Sequence, residues 1–150
     1  MTLPAKKPVL ILMAEDDEDY FELAKEAFQQ FRLANEIRRV EDGEELMDYL
    51  LHRGRFENPA DAPRPGLIFL DINMPRKNGL EALKEIKAHP KLCEIPVIML
   101  TVSRDKKDVY LSYSLGANSF ITKPFAFKHL VEALSVFKRY WLEIVELPTD

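Results

Sequence analysis

The chain of 150 residues is 47% hydrophobic and 31% charged, which suits one globular domain and excludes disordered and fibrous proteins. Its formal net charge of -4 argues against a general nucleic-acid-binding protein, because phosphate contacts need a basic face. The apolar runs are too short for a membrane span or a secretory signal, and a single cysteine, Cys93, cannot form an internal disulfide. We therefore expect a cytoplasmic protein with no membrane partner.

Five short runs predict the strands of a sheet. Four of them are apolar throughout, as expected for strands that are covered on both faces. These four are VLILMA (9–14), LIFL (67–70), VIML (97–100) and SFIT (119–122). The fifth, EIRRV (36–40), is apolar only at Ile37 and Val40 and therefore suits an edge strand.

Apolar residues at helical spacing lie between these runs. The clearest sets are Tyr20, Ala24, Ala27, Phe28 and Phe31, then Leu80, Leu83 and Ile86, then Val109, Leu111 and Leu115 before Gly116. The alternation of strands and helices predicts an α/β fold with a doubly wound parallel sheet, right-handed crossovers and helices on both faces.

The segment HRGRFENPADAPRPG (52–66) precedes the third strand, in chain order, and is long for such a connection. Its prolines, Pro59, Pro63 and Pro65, are expected to exclude helix. Two interpretations stay open, a loop that binds a partner or a loose insertion that the fold tolerates.

The last helical segment is apolar over more than one face. One stripe is expected to pack on the sheet, and it consists of Leu130, Ala133, Leu134, Phe137, Trp141 and Ile144. Further apolar side chains lie outside the stripe, at Val131, Val136, Tyr140, Leu142 and Val145. A helix of this kind needs a second surface to cover it, either within the monomer or in a homodimer.

Polar side chains follow every predicted strand. The second strand offers only Glu41 and Asp42, and those that follow the other four can converge. Glu15 and Asp16 follow the first strand, Asp71 the third, Thr101 the fourth and Lys123 the fifth. Ligands of open parallel sheets bind at the carboxyl ends of the strands, so we expect these groups to converge.

Three converging carboxylates repel one another unless a proton or a cation joins them. Oxygen ligands without a nearby histidine or cysteine suit Mg²⁺, and a carboxylate such as Asp71 can be phosphorylated. Lys123 supplies a positive charge and Thr101 a hydroxyl donor for phosphoryl oxygens. Each group alone also has an ordinary interpretation. Acidic residues are favourable in the first turn of a helix, Thr101 can be a cap or turn residue, and Lys123 can be a surface residue.

Taken together, the residues resemble those of a response-regulator receiver domain from two-component signalling. The resemblance covers about residues 8 to 140, and the helix after it is expected to extend to about 146, so that residues 1–150 form a single receiver domain. The matching residues are Glu15, Asp16, Asp71, Asn73, Pro75, Gly79, Thr101, Phe120, Lys123 and Pro124.

The resemblance implies a flavodoxin-like strand order, 2-1-3-4-5, and phosphorylation of Asp71. It implies that Mg²⁺ binds Asp16, Asp71 and the backbone carbonyl of Asn73, with Glu15 acting through water. Thr101 and Phe120 would be the switch residues, and the Lys123–Pro124 bond is expected to be cis, which proline allows. Val102 departs from the small residue usual after the threonine, and would narrow the approach to Asp71.

The insert before the third strand and the long final helix are similar to single-domain regulators that partner phytochrome-type histidine kinases. That similarity implies a sensor histidine kinase as partner, a bacterial phytochrome being one possibility, and a homodimer through the C-terminal helix face. Since only LPTD follows residue 146, we expect no output module; the signal would pass by protein contact through the face around residues 105 to 142. Two rival functions stay open, an unphosphorylated interaction module and a Mg²⁺-dependent phosphatase with an aspartate nucleophile, although Asn73 stands where such phosphatases commonly have a second acid.

Overall fold

A parallel five-stranded sheet forms the centre of the computed structural model, which describes residues 8–148. The strands are β1 (Ile11–Ala14), β2 (Ile37–Val40), β3 (Leu67–Leu70), β4 (Val97–Thr101) and β5 (Ser119–Thr122). Their order is β2-β1-β3-β4-β5, and every pairing is parallel. The predicted fold class and strand order are confirmed, while the two ends of the predicted 1–150 domain lie outside the described residues.

Five α-helices occur within the described residues. They are α1 (Glu18–Gln29), α2 (Gly43–Leu51), α3 (Gly79–Ala88), α4 (Lys106–Ser114) and α5 (Phe127–Phe137). The first four begin at side-chain caps, from Asp17, Asp42, Asn78 and Asp105. Over this part of the chain, every helix is too short or too polar to cross a lipid bilayer.

Each face of the sheet has its own apolar core, as the predicted alternation requires. In β3, Ile68 and Leu70 pack with α2 and α3, whereas Leu67 and Phe69 pack with α1 and α5. The Phe69 ring lies 4.7 Å from the ring of Phe137 on α5. Since β3 is buried on both sides, the residue that follows it is fixed in place by the whole core.

The expectation that SFIT is a fully buried strand is wrong. Every residue of β5 is half-buried, because β5 lies at the edge of the sheet and has one neighbouring strand. The adjoining α4 covers it poorly, since Ser112 is the one residue of α4 that is buried. The hydroxyl of Tyr113 accepts a hydrogen bond from the Phe120 N–H at 3.1 Å, which satisfies one backbone group of this edge.

The C-terminal stripe is confirmed only in part. Leu130, Leu134 and Phe137 are buried, but Ile144 is 60% exposed and does not pack on the sheet. The α-helix ends at Phe137 and continues as a π-helix, Lys138–Ile144. The wider turn of a π-helix changes the residue spacing, so side chains beyond Phe137 leave the stripe that α-helical spacing predicts.

The 52–66 segment is packed against the domain, which argues against a loose insertion. Phe56 is buried edge-on against Tyr49, with ring centroids 5.0 Å apart, and the Tyr49 hydroxyl donates to the Pro63 carbonyl at 2.8 Å. The expected exclusion of helix is wrong for 3-10 turns, which occur at Gly54–Phe56 and Pro59–Asp61. Pro59 occupies the first position of its turn, where its missing N–H has no role.

Candidate functional site

Three carboxylates meet where β1 and β3 end. The register pairs Ala14 with Leu70, so Glu15, Asp16 and Asp71 leave neighbouring strands at the same level. One oxygen from each of the three lies within 4.8 Å of the others. Glu15 and Asp71 are buried, whereas Asp16 is exposed. The convergence predicted from the sequence is therefore present.

Lys123 reaches into this cluster from the end of β5. Its Nζ lies 2.6 Å from Oε1 of Glu15 and 2.8 Å from Oδ2 of Asp71. All three side chains are at least nine-tenths buried, so these contacts are shielded from solvent. Burial alone lowers the pKa of Lys123, but its hydrogen bonds to Asp71 and Glu15 outweigh burial and raise the pKa overall. The lysine is held in its charged form.

One ammonium does not balance three carboxylates. Burial raises the pKa of Glu15 to about 7, and the nearby charge of Asp71 adds to that rise, while Lys123 opposes both effects. An all-oxygen donor set with excess negative charge fits a hard divalent cation. The cluster of Glu15, Asp16 and Asp71 is thus able to hold such an ion.

Thr101 brings an unsatisfied hydroxyl to the same edge of the sheet. The residue is fully buried at the end of β4, and its Oγ1 has no hydrogen-bond partner among the described residues. A buried hydroxyl without a partner is energetically costly, and such groups call for an explanation. The Thr101 carbonyl accepts from the Lys123 N–H at 2.8 Å, which ties the two strand ends together.

The other predicted site residues take different positions. Asn73 is exposed, and its N–H donates to Oδ1 of Asp71 at 3.3 Å. Phe120 is half-buried and packs against the core on the α2 and α3 side. Val102 is 49% exposed beside Thr101.

Gly79 fixes the return of the loop that follows Asp71. Its N–H donates to the Ile72 carbonyl at 2.9 Å, which closes the loop at the start of α3. A Cβ added here would overlap the backbone carbonyl oxygen of Asp71, which a side chain cannot push aside without moving the site. The glycine is therefore required by close approach of backbone to backbone.

The expected cis bond between Lys123 and Pro124 is wrong, since residues 8–148 contain no cis peptide bond. Proline brings the cis and trans forms close in energy, so the sequence alone does not decide between them. In the trans form, Lys123 reaches both carboxylates and the Pro124 carbonyl accepts a hydrogen bond from the Tyr20 hydroxyl at 3.0 Å.

Two residues of the site were not predicted from the sequence. Tyr20 belongs to the predicted apolar face of α1, yet the Nζ of Lys123 lies 4.6 Å from the centroid of its ring. Arg39 on β2 donates from Nε to the Glu15 carbonyl at 2.9 Å and from Nη2 to the Asp16 carbonyl at 3.1 Å. The one available signal for Arg39 is its register opposite Met13, two residues before the acidic pair.

Sequence comparisons with known proteins match most of the chain. The family model for the response regulator receiver domain matches residues 11–135. Response regulator Rcp1 of Synechocystis sp. is 38% identical over 148 residues, which is 99% of this chain and 99% of that protein.

Solved structures give the same result. The phosphorylated cyanobacterial phytochrome response regulator RcpA is similar with a TM-score of 0.88 and 36% identity, over 95% of this chain and 100% of that chain. The Mn²⁺-bound form of Rcp1 is similar with a TM-score of 0.86 and 38% identity, over the same shares of the two chains. This chain belongs to the family of response regulator receiver domains.

Proposed function

We propose that Asp71 is the phosphoacceptor of a two-component response regulator and receives a phosphoryl group from a phosphohistidine of a sensor histidine kinase. The observation that carries the proposal is the buried carboxylate of Asp71, 2.8 Å from the Lys123 ammonium and in one cluster with Glu15 and Asp16. A carboxylate placed so has both a compensating cation and neighbours able to bind a metal ion, as phosphoryl transfer requires.

Mg²⁺ is the proposed cofactor. Asp16, Asp71 and the backbone carbonyl of Asn73 would hold it directly, and Glu15 through water. When bound, the ion supplies positive charge that offsets the negative charge of a transferred phosphoryl group. The excess of carboxylates over ammonium groups supports this proposal.

The transfer forms one bond and breaks one. A carboxylate oxygen of Asp71 attacks phosphorus, the bond from phosphorus to the histidine nitrogen breaks, and an acyl phosphate results. Lys123 and the unpaired hydroxyl of Thr101 would bind phosphoryl oxygens. Water later attacks the phosphorus and releases inorganic phosphate, which regenerates the carboxylate. Enzymatic chemistry is thus confined to the protein's own phosphorylation and dephosphorylation.

Phosphorylation would act by shifting a population of conformers. The buried Thr101 hydroxyl gains an acceptor only when a phosphoryl oxygen is present, so the phosphorylated form favours the conformer in which that bond is made. Phe120 is the proposed second switch residue. It lies on β5, two strands from Asp71, and its N–H is bonded to Tyr113 of α4, which provides a route from the site to the outer surface.

A phytochrome-type histidine kinase is the proposed partner. The support is the description of RcpA as a cyanobacterial phytochrome response regulator, together with the near-complete coverage of Rcp1. We further propose that the regulator acts in the cytoplasm as a single receiver domain, without nucleic-acid or membrane partners, and passes its signal to a protein target.

The C-terminal helix face is the proposed dimer interface. Val136 at the end of α5, and Tyr140 and Ile144 in the π-helix that follows, are 69%, 51% and 60% exposed. Tyr110 of α4, the helix that contacts edge strand β5, is 77% exposed as well. A second copy of the chain would cover these side chains, which the monomer leaves in water.

The phosphoacceptor is tested by intact mass after incubation with Mg²⁺ and acetyl phosphate. The parent and an Asp48→Asn control should gain one phosphoryl group, which hydroxylamine removes as it does from acyl phosphates, and Asp71→Asn should gain none. A gain that persists in Asp71→Asn would refute the assignment. Absence of any mass gain in the parent, with acetyl phosphate and with kinases, would favour an unphosphorylated interaction module. Steady release of many equivalents of phosphate from a phosphate ester would favour a phosphatase.

The interface is tested by sedimentation of the parent and of a Val136→Lys, Tyr140→Glu double variant. Both residues are exposed, so the variant should fold and sediment as a monomer where the parent is a dimer. Trp141 and Phe137 are poorer choices, because they pack against the core and their loss would also destabilise the monomer. A monomeric parent, phosphorylated or not, would remove the dimer proposal.

A further inference from the structure

The loop that follows Asp71 is fastened to the start of α2, on the far side of the site from Lys123. Asp42 caps α2, since its Oδ1 accepts from the Glu45 N–H at 2.9 Å. Its other oxygen, Oδ2, accepts from Nε of Arg76 at 2.8 Å and also from Nη2 of the same guanidinium. The Gly43 N–H donates to the Lys77 carbonyl at 3.0 Å, so backbone and side chain bind the loop at adjacent points.

Arg76 holds a backbone conformation that its residue type disfavours. Its φ is 63°, in the left-handed region where glycine and asparagine are the usual residues. The side chain of Asp42 is 4% exposed, and a buried carboxylate needs hydrogen-bonded or charged partners. The pairing therefore satisfies Asp42 and offsets the cost of the left-handed backbone at Arg76.

The position of this pair in the loop gives it a role beyond packing. Arg76 lies three residues after Asn73, whose backbone carbonyl is one of the proposed metal ligands, and three residues before Gly79, whose N–H closes the loop on the Ile72 carbonyl. Met74, between Asn73 and Arg76, is buried in the core. The loop is thus held at Met74 by packing and at Arg76 by charge, with the exposed Asn73 next to these two anchors.

We propose that Arg76 is a positioning residue: its ion pair with Asp42 fixes the loop that carries Asn73, and thereby sets the divalent-ion affinity of the site. This inference rests on the proposed function, because it takes the Asn73 carbonyl as a ligand. Loss of the pair removes one anchor of the loop without removing any ligand atom, so that ion binding has to offset the cost of ordering the loosened segment around Asn73.

The test compares Mn²⁺ and Mg²⁺ affinity, measured by calorimetry, in variants that separate the ion pair from the backbone and from the cap. Arg76→Asn keeps a residue that tolerates the left-handed conformation, and Asp42→Asn keeps a good helix cap. Each should weaken binding by about tenfold, the size of effect seen when outer partners of metal ligands are removed. The double variant should be no weaker than either single variant, because both remove the same interaction.

Arg55→Asn is the matched control. Arg55 is also an exposed arginine paired with a carboxylate of α2, that of Glu45, but no proposed ligand lies in its segment. The divalent-ion affinity of the Arg55→Asn variant should equal that of the parent. Unfolding by urea in EDTA, recorded for every variant, separates a change of affinity from a change of stability. The Arg76→Lys variant retains the charge and should therefore bind the ions more tightly than Arg76→Asn.

The outcomes separate the inference from the function on which it rests. If the parent binds the ions and the single variants bind them equally well, the positioning role is overturned and the proposed function stands. An equal loss in Arg55→Asn also overturns it, because the effect would then be general. If the parent binds neither ion, the proposed metal site fails, and the role of Arg76 fails with it.

Discussion

Replacement of Lys123 by methionine keeps most of the length of the side chain and removes its charge. It should strongly destabilise the protein when no divalent ion is bound. Nζ contacts Glu15 at 2.6 Å and Asp71 at 2.8 Å, and the two carboxylates are 2% and 5% exposed. Removal of one partner of a buried pair costs about 3–5 kcal/mol, because the other charge is left buried and unpaired. Since one ammonium serves two carboxylates, we expect a loss of about 4 kcal/mol.

The assay is unfolding in urea, followed by circular dichroism, first in EDTA and then in excess Mg²⁺. A domain of this size has a free energy of unfolding of about 5–15 kcal/mol, so the variant should remain folded but with a much lower midpoint. A bound ligand at a hundred times its Kd stabilises a protein by about 2.7 kcal/mol. Because Mg²⁺ restores positive charge to the unpaired carboxylates, the difference between parent and variant should narrow when it is added.

Lys138→Met is the matched control. Lys138 also lies over an aromatic ring, 5.6 Å from the centroid of Phe31, and pairs with Glu143 at 3.9 Å, but its partner is 55% exposed. An exposed pair of this kind contributes about 0–1 kcal/mol. The reasoning is refuted if Lys123→Met loses less than Lys138→Met in EDTA, or if Mg²⁺ widens the difference between the Lys123 variant and the parent.

Three further substitutions test other parts of the structure. Gly79→Ala should lower the free energy of unfolding by about 1–3 kcal/mol, because the new Cβ overlaps the Asp71 carbonyl; an unchanged urea midpoint would contradict this. Tyr49→Phe removes the hydrogen bond to the Pro63 carbonyl and should lower the free energy of unfolding by about 1 kcal/mol. It should also speed proteolysis within 52–66, as seen by mass spectrometry of early fragments; protection equal to the parent's would mean that the bond does not hold the segment. Arg39→Met should weaken Mn²⁺ binding about tenfold, since the Glu15 carbonyl loses its donor, and equal affinities in calorimetry would count against that role.

The central part of the fold was predictable because burial on both faces leaves a plain trace in the sequence. LIFL is apolar throughout since each of its residues contacts one of two cores, and Asp71 ends the run because the sheet ends there. Parallel pairing then brings the strand ends together without further information, which is why Glu15, Asp71 and Lys123 converge as expected.

The edges of the fold were predicted less well, because there the sequence pattern has more than one solution. SFIT reads as a buried strand, but an apolar run also suits an edge strand that is half-covered by helices. Helical periodicity predicts that Ile144 packs on the sheet. The change from an α-helix to a π-helix after Phe137 instead leaves its side chain exposed to solvent. The cis and trans forms of the Lys123–Pro124 peptide bond differ so little in energy that no sequence pattern indicates which one is present.

The two arginines, Arg39 and Arg76, explain why the residues that support the site were harder to find than the proposed ligands. A proposed ligand at a strand end is located by counting along one strand. The position of Arg39 depends on the register of β1 against β2, and that of Arg76 on a left-handed turn that follows no periodicity. Both donate to groups beside the carboxylates, one to the carbonyls of the acidic pair and one to the cap of α2. A chain that kept every acidic residue of the site and lost both arginines would therefore retain the sequence signature of the family, and we expect it to bind a divalent ion more weakly than this chain does.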